Sequence, residues 1–248
     1  MRKLPPESTL LDFIVATHSC DRIQLTPDVV TNTLQGKGKP SPYIQGHRKA
    51  LKFICTELVG SSDFPAKDPN ILINHYHSEN ALYWLREIHS LVMYPVAQDN
   101  LSSGLGIKPC ECGTYRFKPK ALAFSYAPEP DDVPILLHLW LKEVSELHSE
   151  VRTDIDNPYG INPEQSKRLV HTANEVSFFF GCLQPFEEGS NRVGRLVENT
   201  LRLHWYMPWD TQYGGPQLDE YIKKFTVYQQ TRWKEYWLRK LTEYKSAK

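Results

Sequence analysis

Gln184-Pro185-Phe186-Glu187-Glu188-Gly189-Ser190-Asn191-Arg192-Val193-Gly194-Arg195 is a polar turn set between two stretches of apolar periodicity. Leu169, Ala173, Val176, Phe180 and Leu183 recur at helical spacing before it, and Val193, Leu196, Val197, Leu201 and Trp205 resume that spacing after it. The reading is helix, turn, helix, with small residues where the second helix begins. The first N–H groups of a helix lack internal acceptors, and the macrodipole leaves partial positive charge at that end. Arg192 and Arg195, three apart, share a side of the opening turn. An anion such as phosphate suits this place, and Glu188 could hold a magnesium ion. The same residues also describe a plain helical elbow, with Gly189 as a turn residue and both arginines paired to Glu187, Glu188 or Glu198.

The pattern outward from this turn is helical. Asn162-Pro163-Glu164-Gln165 supplies an N-cap, a first-turn proline and a capping-box Gln for the upstream helix. Before it, Asp131 or Asp132 with Pro134 opens a helix whose Val133, Leu136, Leu137, Trp140, Val144 and Leu147 face a core. Leu82, Leu85, His89 and Val92, behind a Ser78 cap, form another, and Ile44, Ala50, Leu51, Ile54 and Leu58 one more, ending at Gly60. Near the N-terminus Ser8 and Thr9 cap a short helix that ends between Thr17 and Asp21. Thr26-Pro27-Asp28 caps the next, which stops at Gly36 before the Gly36-Lys37-Gly38-Lys39-Pro40 linker. Leu218, Ile222, Phe225, Trp233 and Trp237 mark a C-terminal helical segment. Periodicity fails only between Leu101 and Pro130, where alternation through Leu122, Phe124 and Tyr126 suggests a β-hairpin or flap.

Composition narrows the function classes. The chain has 248 residues, 40% hydrophobic and 23% charged, with 29 basic and 29 acidic side chains. Such a chain builds its own core, and zero net charge offers no overall attraction to nucleic acid or anionic membrane. The five cysteines, Cys20, Cys55, Cys110, Cys112 and Cys182, are odd in number and lack a framework spacing, as expected of free thiols in the cytoplasm. Pro5, Pro6, Glu7 and Asp12 interrupt any signal-peptide core, and no apolar run nears the roughly 18 residues of a membrane span. His75-x-His77 and Cys110-x-Cys112 match zinc-site spacing poorly.

The central turn resembles a degenerate copy of the signature of the Fic (filamentation-induced-by-cAMP) family, H-P-F-x-[DE]-G-N-G-R-x-x-R. Pro185, Phe186, Glu188, Gly189, Arg192 and Arg195 match it; Gln184, Ser190 and Asn191 depart at the His, Asn and second Gly positions. Gly113-Thr114-Tyr115-Arg116 is similar to the G-x-[WY]-R stretch before the family's flap, and residues 128–134 to the Pro-rich entry of the following helix. Thr17 to Thr26 resembles the family's autoinhibitory helix, with Asp21 at the inhibitory Glu position but Arg22-Ile23 in place of Gly-Asn.

The resemblance implies a mainly α fold, a Fic-like helical bundle with a small β-hairpin flap. Residues 1–60 would be an N-terminal helical segment of the autoinhibitory kind and 61–248 the core. It implies ATP with Mg2+, the phosphates on Gly189, Ser190, Asn191, Arg192 and Arg195 and the metal on Glu188. In the family the signature His takes a proton from a target Ser, Thr or Tyr hydroxyl as AMP is transferred to it. Gln184 cannot act as that base, and losing one costs about 100- to 10,000-fold in rate. Catalysis is therefore expected to be lost or altered, unless His171 or His204 substitutes. Asn191 crowds the anion site; a non-glycine residue there, Lys in the family's phosphorylating toxins, also permits a flipped nucleotide. Asp21 would hold Arg195 away from the γ-phosphate, or simply end a helix. Leu122, Ala123, Phe124, Ser125 and Tyr126 would be the flap edge that pairs with the backbone of a protein target. A non-catalytic interaction module using that edge, and a divergent transferase with another base, are the competing readings. A homodimer is compatible with either.

Overall fold

The structure, a computed structural model, describes residues 5–21, 25–37, 41–59, 82–100, 106–121, 127–155, 162–214 and 217–247. Nine α-helices follow in order among them: α1 (Glu7–Cys20), α2 (Pro27–Leu34), α3 (Pro42–Phe53), α4 (Tyr83–Asn100), α5 (Asp132–Ile155), α6 (Pro163–Leu183), α7 (Ser190–His204), α8 (Leu218–Tyr228) and α9 (Leu238–Ser246). α3 runs on as a π-helical stretch, Ile54–Val59, and another, Gln229–Trp237, joins α8 to α9.

Local chemistry accounts for most boundaries. Thr26 accepts from the Val29 amide at 3.3 Å and Pro27 occupies the first turn of α2. Asn162 accepts from the Glu164 and Gln165 amides while Gln165 reaches back to the Asn162 amide, completing the expected capping box of α6. α1 departs from expectation: it starts at Glu7, so Ser8 and Thr9 lie inside it and Pro6 occupies the cap with no side-chain bond. The expected C-terminal segment is three pieces, because the π-helical stretch rotates the chain between α8 and α9.

One apolar cluster joins α1 (Phe13, Ile14), α4 (Leu85, Val92), α5 (Leu136, Leu137), α6 (Val176, Phe180) and α7 (Leu196, Val197). α6 and α7 pack closely. A Cβ on Gly194 would come within 2.6 Å of the Phe180 Cβ, so glycine sets that approach. α7 is buried along nearly its whole length, polar residues included. A buried Arg, Glu or Asn on this helix must find its partner inside the protein.

Among the described residues no strand pair forms. Residues 106–121 hold a short 3₁₀ turn, Pro109–Glu111, and an isolated bridge residue, Ala121, and 114–117 have no regular structure. The flap edge, 122–126, lies outside the described residues, as do Ser78, His75 and His77. The Ala127 amide donates to the Lys120 carbonyl at 3.0 Å and closes the base of that segment. No described helix is long and apolar enough to cross a membrane, and no three described His, Cys, Asp or Glu side chains group as metal ligands.

Candidate functional site

The turn between α6 and α7 is held from four directions. α6 ends at Gln184, which takes the left-handed conformation (φ 48°) and donates its amide to the Phe180 carbonyl at 2.9 Å. Arg116, almost fully buried, donates Nε to the Gln184 carbonyl at 2.7 Å and reaches the Lys118 and Pro128 carbonyls at the flap base. Its own amide donates to the Pro185 carbonyl. Inside the turn, Ser190 Oγ accepts from the Phe186 amide at 3.0 Å and donates to the Phe186 carbonyl at 3.1 Å. Lys120 donates to the Glu187 carbonyl.

His89 of α4 supplies the floor. Its ring stacks on Phe186, centroids 3.9 Å apart and planes within 7°. Nδ1 accepts from the Gly113 amide at 2.8 Å, which places the proton on Nε2, and Nε2 donates to the Glu188 carbonyl at 2.8 Å. Burial holds this imidazole neutral, its pKa lowered to about 4. Gly189 sits above it at φ 78°, where a Cβ would meet Met93 Sδ at 2.6 Å. Neither Arg116 nor His89 stood out as more than a motif letter and a helix-face residue, since their partners are backbone groups far away in the chain.

Gln184 stands at the position of the expected base. Its side chain folds back: Nε2 donates to the Gly181 carbonyl at 2.9 Å and to Asn191 Oδ1 at 3.1 Å. Two of the three departures from the signature, Gln184 and Asn191, therefore hold each other. His171 is largely exposed on α6, 3.3 Å from Glu175, and His204 packs against the His148 ring; neither lines the cavity at Gln184.

That cavity, about 470 Å³, is lined by Gln184, Glu188, Gly189, Ser190, Asn191 and Arg192 of the turn and by Cys20, Asp21, Tyr43 and Lys120. It brings the motif together with the end of α1. Asp21 spans two cations: Oδ2 accepts from Arg192 Nε at 2.9 Å and Oδ1 from Arg195 Nη2 at 2.7 Å. Arg195 Nη1 also donates to the Thr17 carbonyl at 2.7 Å. Burial alone would disfavour charge on Arg195, but Asp21 outweighs it and raises its pKa. Glu188, half exposed, lies 3.9 Å from Arg192, so the main carboxylate of both arginines is Asp21, not a glutamate of the turn. Behind them the His18 and His47 rings lie 4.6 Å apart. Burial lowers both pKa values, His18 to about 4.

The arrangement can hold an anion. The amides of Ser190, Asn191 and Arg192 have no intrahelical acceptor by virtue of their place in the first turn. Arg192 Nη1 is buried without a hydrogen-bond partner. What it lacks is a group at position 184 that titrates near neutrality.

Neither a family model nor a curated protein matches the sequence. Solved structures do match the fold. A Fic family protein from Desulfovibrio desulfuricans G20 aligns with a TM-score of 0.53 and 22% identity, over 90% of this chain and 57% of that one. The chain has a Fic-like fold. A Fic domain containing signaling protein from Bacteroides thetaiotaomicron VPI-5482 aligns with a TM-score of 0.55 and 15% identity, over 89% of this chain and 71% of that one. Within this Fic-like bundle residues 184–195 form the α6–α7 turn and the start of α7, and the chain spans little more than half the length of the first of these proteins.

Proposed function

We propose that the chain is a divergent member of the Fic family that binds an adenine nucleotide with Mg2+ at the start of α7, with transferase chemistry lost or altered. The observation that carries this is the pair Arg192 and Arg195, buried around one carboxylate at the N-terminus of a helix. Buried guanidiniums at a helix start, one with an unpartnered Nη1, match the charge and donor geometry of phosphate oxygens. Ser190, Asn191 and Arg192 would present their amides to those oxygens, and Glu188 at the cavity edge would hold the metal, which screens phosphate charge. Asp21 occupies the same donors and acts as an internal competitor. Transfer to a hydroxyl needs a base where Gln184 stands; its amide cannot take a proton near neutrality, and Nε2 is already engaged with Asn191.

Calorimetric titration with Mg-ATP tests the reading. The wild type is expected to bind, Arg192→Ala with Arg195→Ala to lose binding, and Asp21→Ala to bind more tightly. Absence of heat in wild type and Asp21→Ala alike, with both proteins folded, would make the motif a relic.

A further inference from the structure

One to two turns further along α7 a second cavity, about 330 Å³, lies between α6, α7, the 208–213 loop and α8. It has no part in the function proposed above. Glu198 and Asp210 share a single guanidinium there: Arg202 approaches Glu198 Oε1 and Asp210 Oδ2 at 3.3 Å each. Arg202 spends its remaining donors on the Pro208 carbonyl and Asn174. Lys224 at the rim is exposed and paired with Glu220. Among the described residues lining the cavity, two carboxylates therefore share one guanidinium.

The unsatisfied atoms point the same way. The Ser177 and Tyr213 hydroxyls stand beside Glu198, yet neither Glu198 Oε2 nor Ser177 Oγ completes a hydrogen bond of normal geometry, and Trp209 Nε1 is buried without an acceptor. Glu198 is 1% and Ser177 2% exposed. Phe178, Trp209 and Tyr221 give the cavity aromatic walls, suited to a cation. Burial first, then Asp210, pushes the Glu198 carboxyl up to about 8, the same shortage of positive charge expressed as proton affinity.

We infer that this cavity binds a small primary amine, its ammonium donating to Glu198 Oε2 and Ser177 Oγ against the aromatic walls, with a hydrogen-bond acceptor on its body for Trp209 Nε1. An anion would meet two carboxylates and a guanidinium already taken. A divalent cation would need more oxygen ligands than converge here and would sit against Arg202.

Ethanolamine is the probe and ethylene glycol its uncharged control, titrated into the full chain by calorimetry and thermal melting. A four-heavy-atom amine is expected to bind in the range of about 0.1–10 mM. Glu198→Gln, which keeps shape and removes charge, is expected to weaken it about tenfold or more. The inference is overturned by equal affinity in Glu198→Gln, by an equal response to ethylene glycol, or by no saturable binding, which would leave a water-filled cavity. If Glu198→Gln does not fold, the indole N–H resonance of Trp209, assigned through Trp209→Phe, decides on the wild type. A saturable shift with ethanolamine supports the site, and an unmoved resonance overturns it.

Discussion

α7 buries charge at two levels along its length and solves the problem differently at each. Toward α1, two guanidiniums meet one carboxylate, and Asp21 divides its oxygens between them at 2.7 and 2.9 Å. Toward α6 and the 208–213 loop, two carboxylates meet one guanidinium at 3.3 Å each. The first level sets two cations against one anion and the second two anions against one cation, about a turn apart on a helix fifteen residues long. Buried charge is costly unless matched. In the two proposals above an anion would complete the first level and a cation the second.

The sharpest break in this comparison is Asp21→Ala. It removes the carboxylate from two nearly buried arginines, and the expected loss is about 3–5 kcal/mol of stability, read by urea unfolding. Millimolar Mg-ATP should restore part of that loss, because phosphate oxygens replace the carboxylate. A variant as stable as the wild type would show that α1 does not clamp the arginines in solution.

Glu198 predicts a pH dependence of opposite origin. Its pKa is raised from 4.5 to about 8, so between these values the folded protein binds more protons than the unfolded chain. Stability from this group is fully present below the lower value and falls as pH rises through the upper one, by at most about 1.4 kcal/mol per pH unit. Glu198→Gln cannot ionise and should flatten that slope. The variant is expected to gain on the wild type in melting temperature between pH 5 and 8, and parallel curves would mean that Arg202 already compensates Glu198 in full.

Much of this was legible in the chain. The period of Leu169 to Leu183 and of Val193 to Trp205, with Asn162-Pro163-Glu164-Gln165 ahead, is local information and defines α6 and α7. Gly189, Ser190, Asn191, Arg192 and Arg195 formed the candidate cradle because they are near neighbours in the chain at the start of one helix. His89, Arg116 and Lys120 escaped notice as builders of that turn because each holds it through a main-chain carbonyl 67 to 99 residues away, and backbone acceptors carry no sequence signal. The Glu198 cavity escaped for a related reason: a glutamate at helical spacing reads as a solvated face until the 208–213 loop covers it.

A smaller effect probes the rigidity that the Asp21–arginine cluster depends on. Gly189 holds a left-handed φ of 78°, with Met93 Sδ 2.6 Å from where a Cβ would stand. Gly189→Ala should cost about 1–2 kcal/mol, since the strain is partly relieved by movement of the flexible methionine. A larger fall in nucleotide affinity than in stability would show that the turn's geometry is what presents the amides.

Glu188→Gln is the smallest change and separates two carboxylates that face one arginine. Asp21 is mostly buried and touches Arg192 Nε at 2.9 Å, whereas Glu188 is 54% exposed and 3.9 Å from Arg192 Nη2. Water screens the second pair, so its loss should change stability by less than about 0.5 kcal/mol. That indifference makes the variant useful. With the fold unaltered, weaker binding of Mg-ATP but unchanged binding of metal-free ATP would assign Glu188 to the cation. Equal weakening of both would assign it instead to the placement of Arg192, which would then be steered by two carboxylates, as Arg202 is.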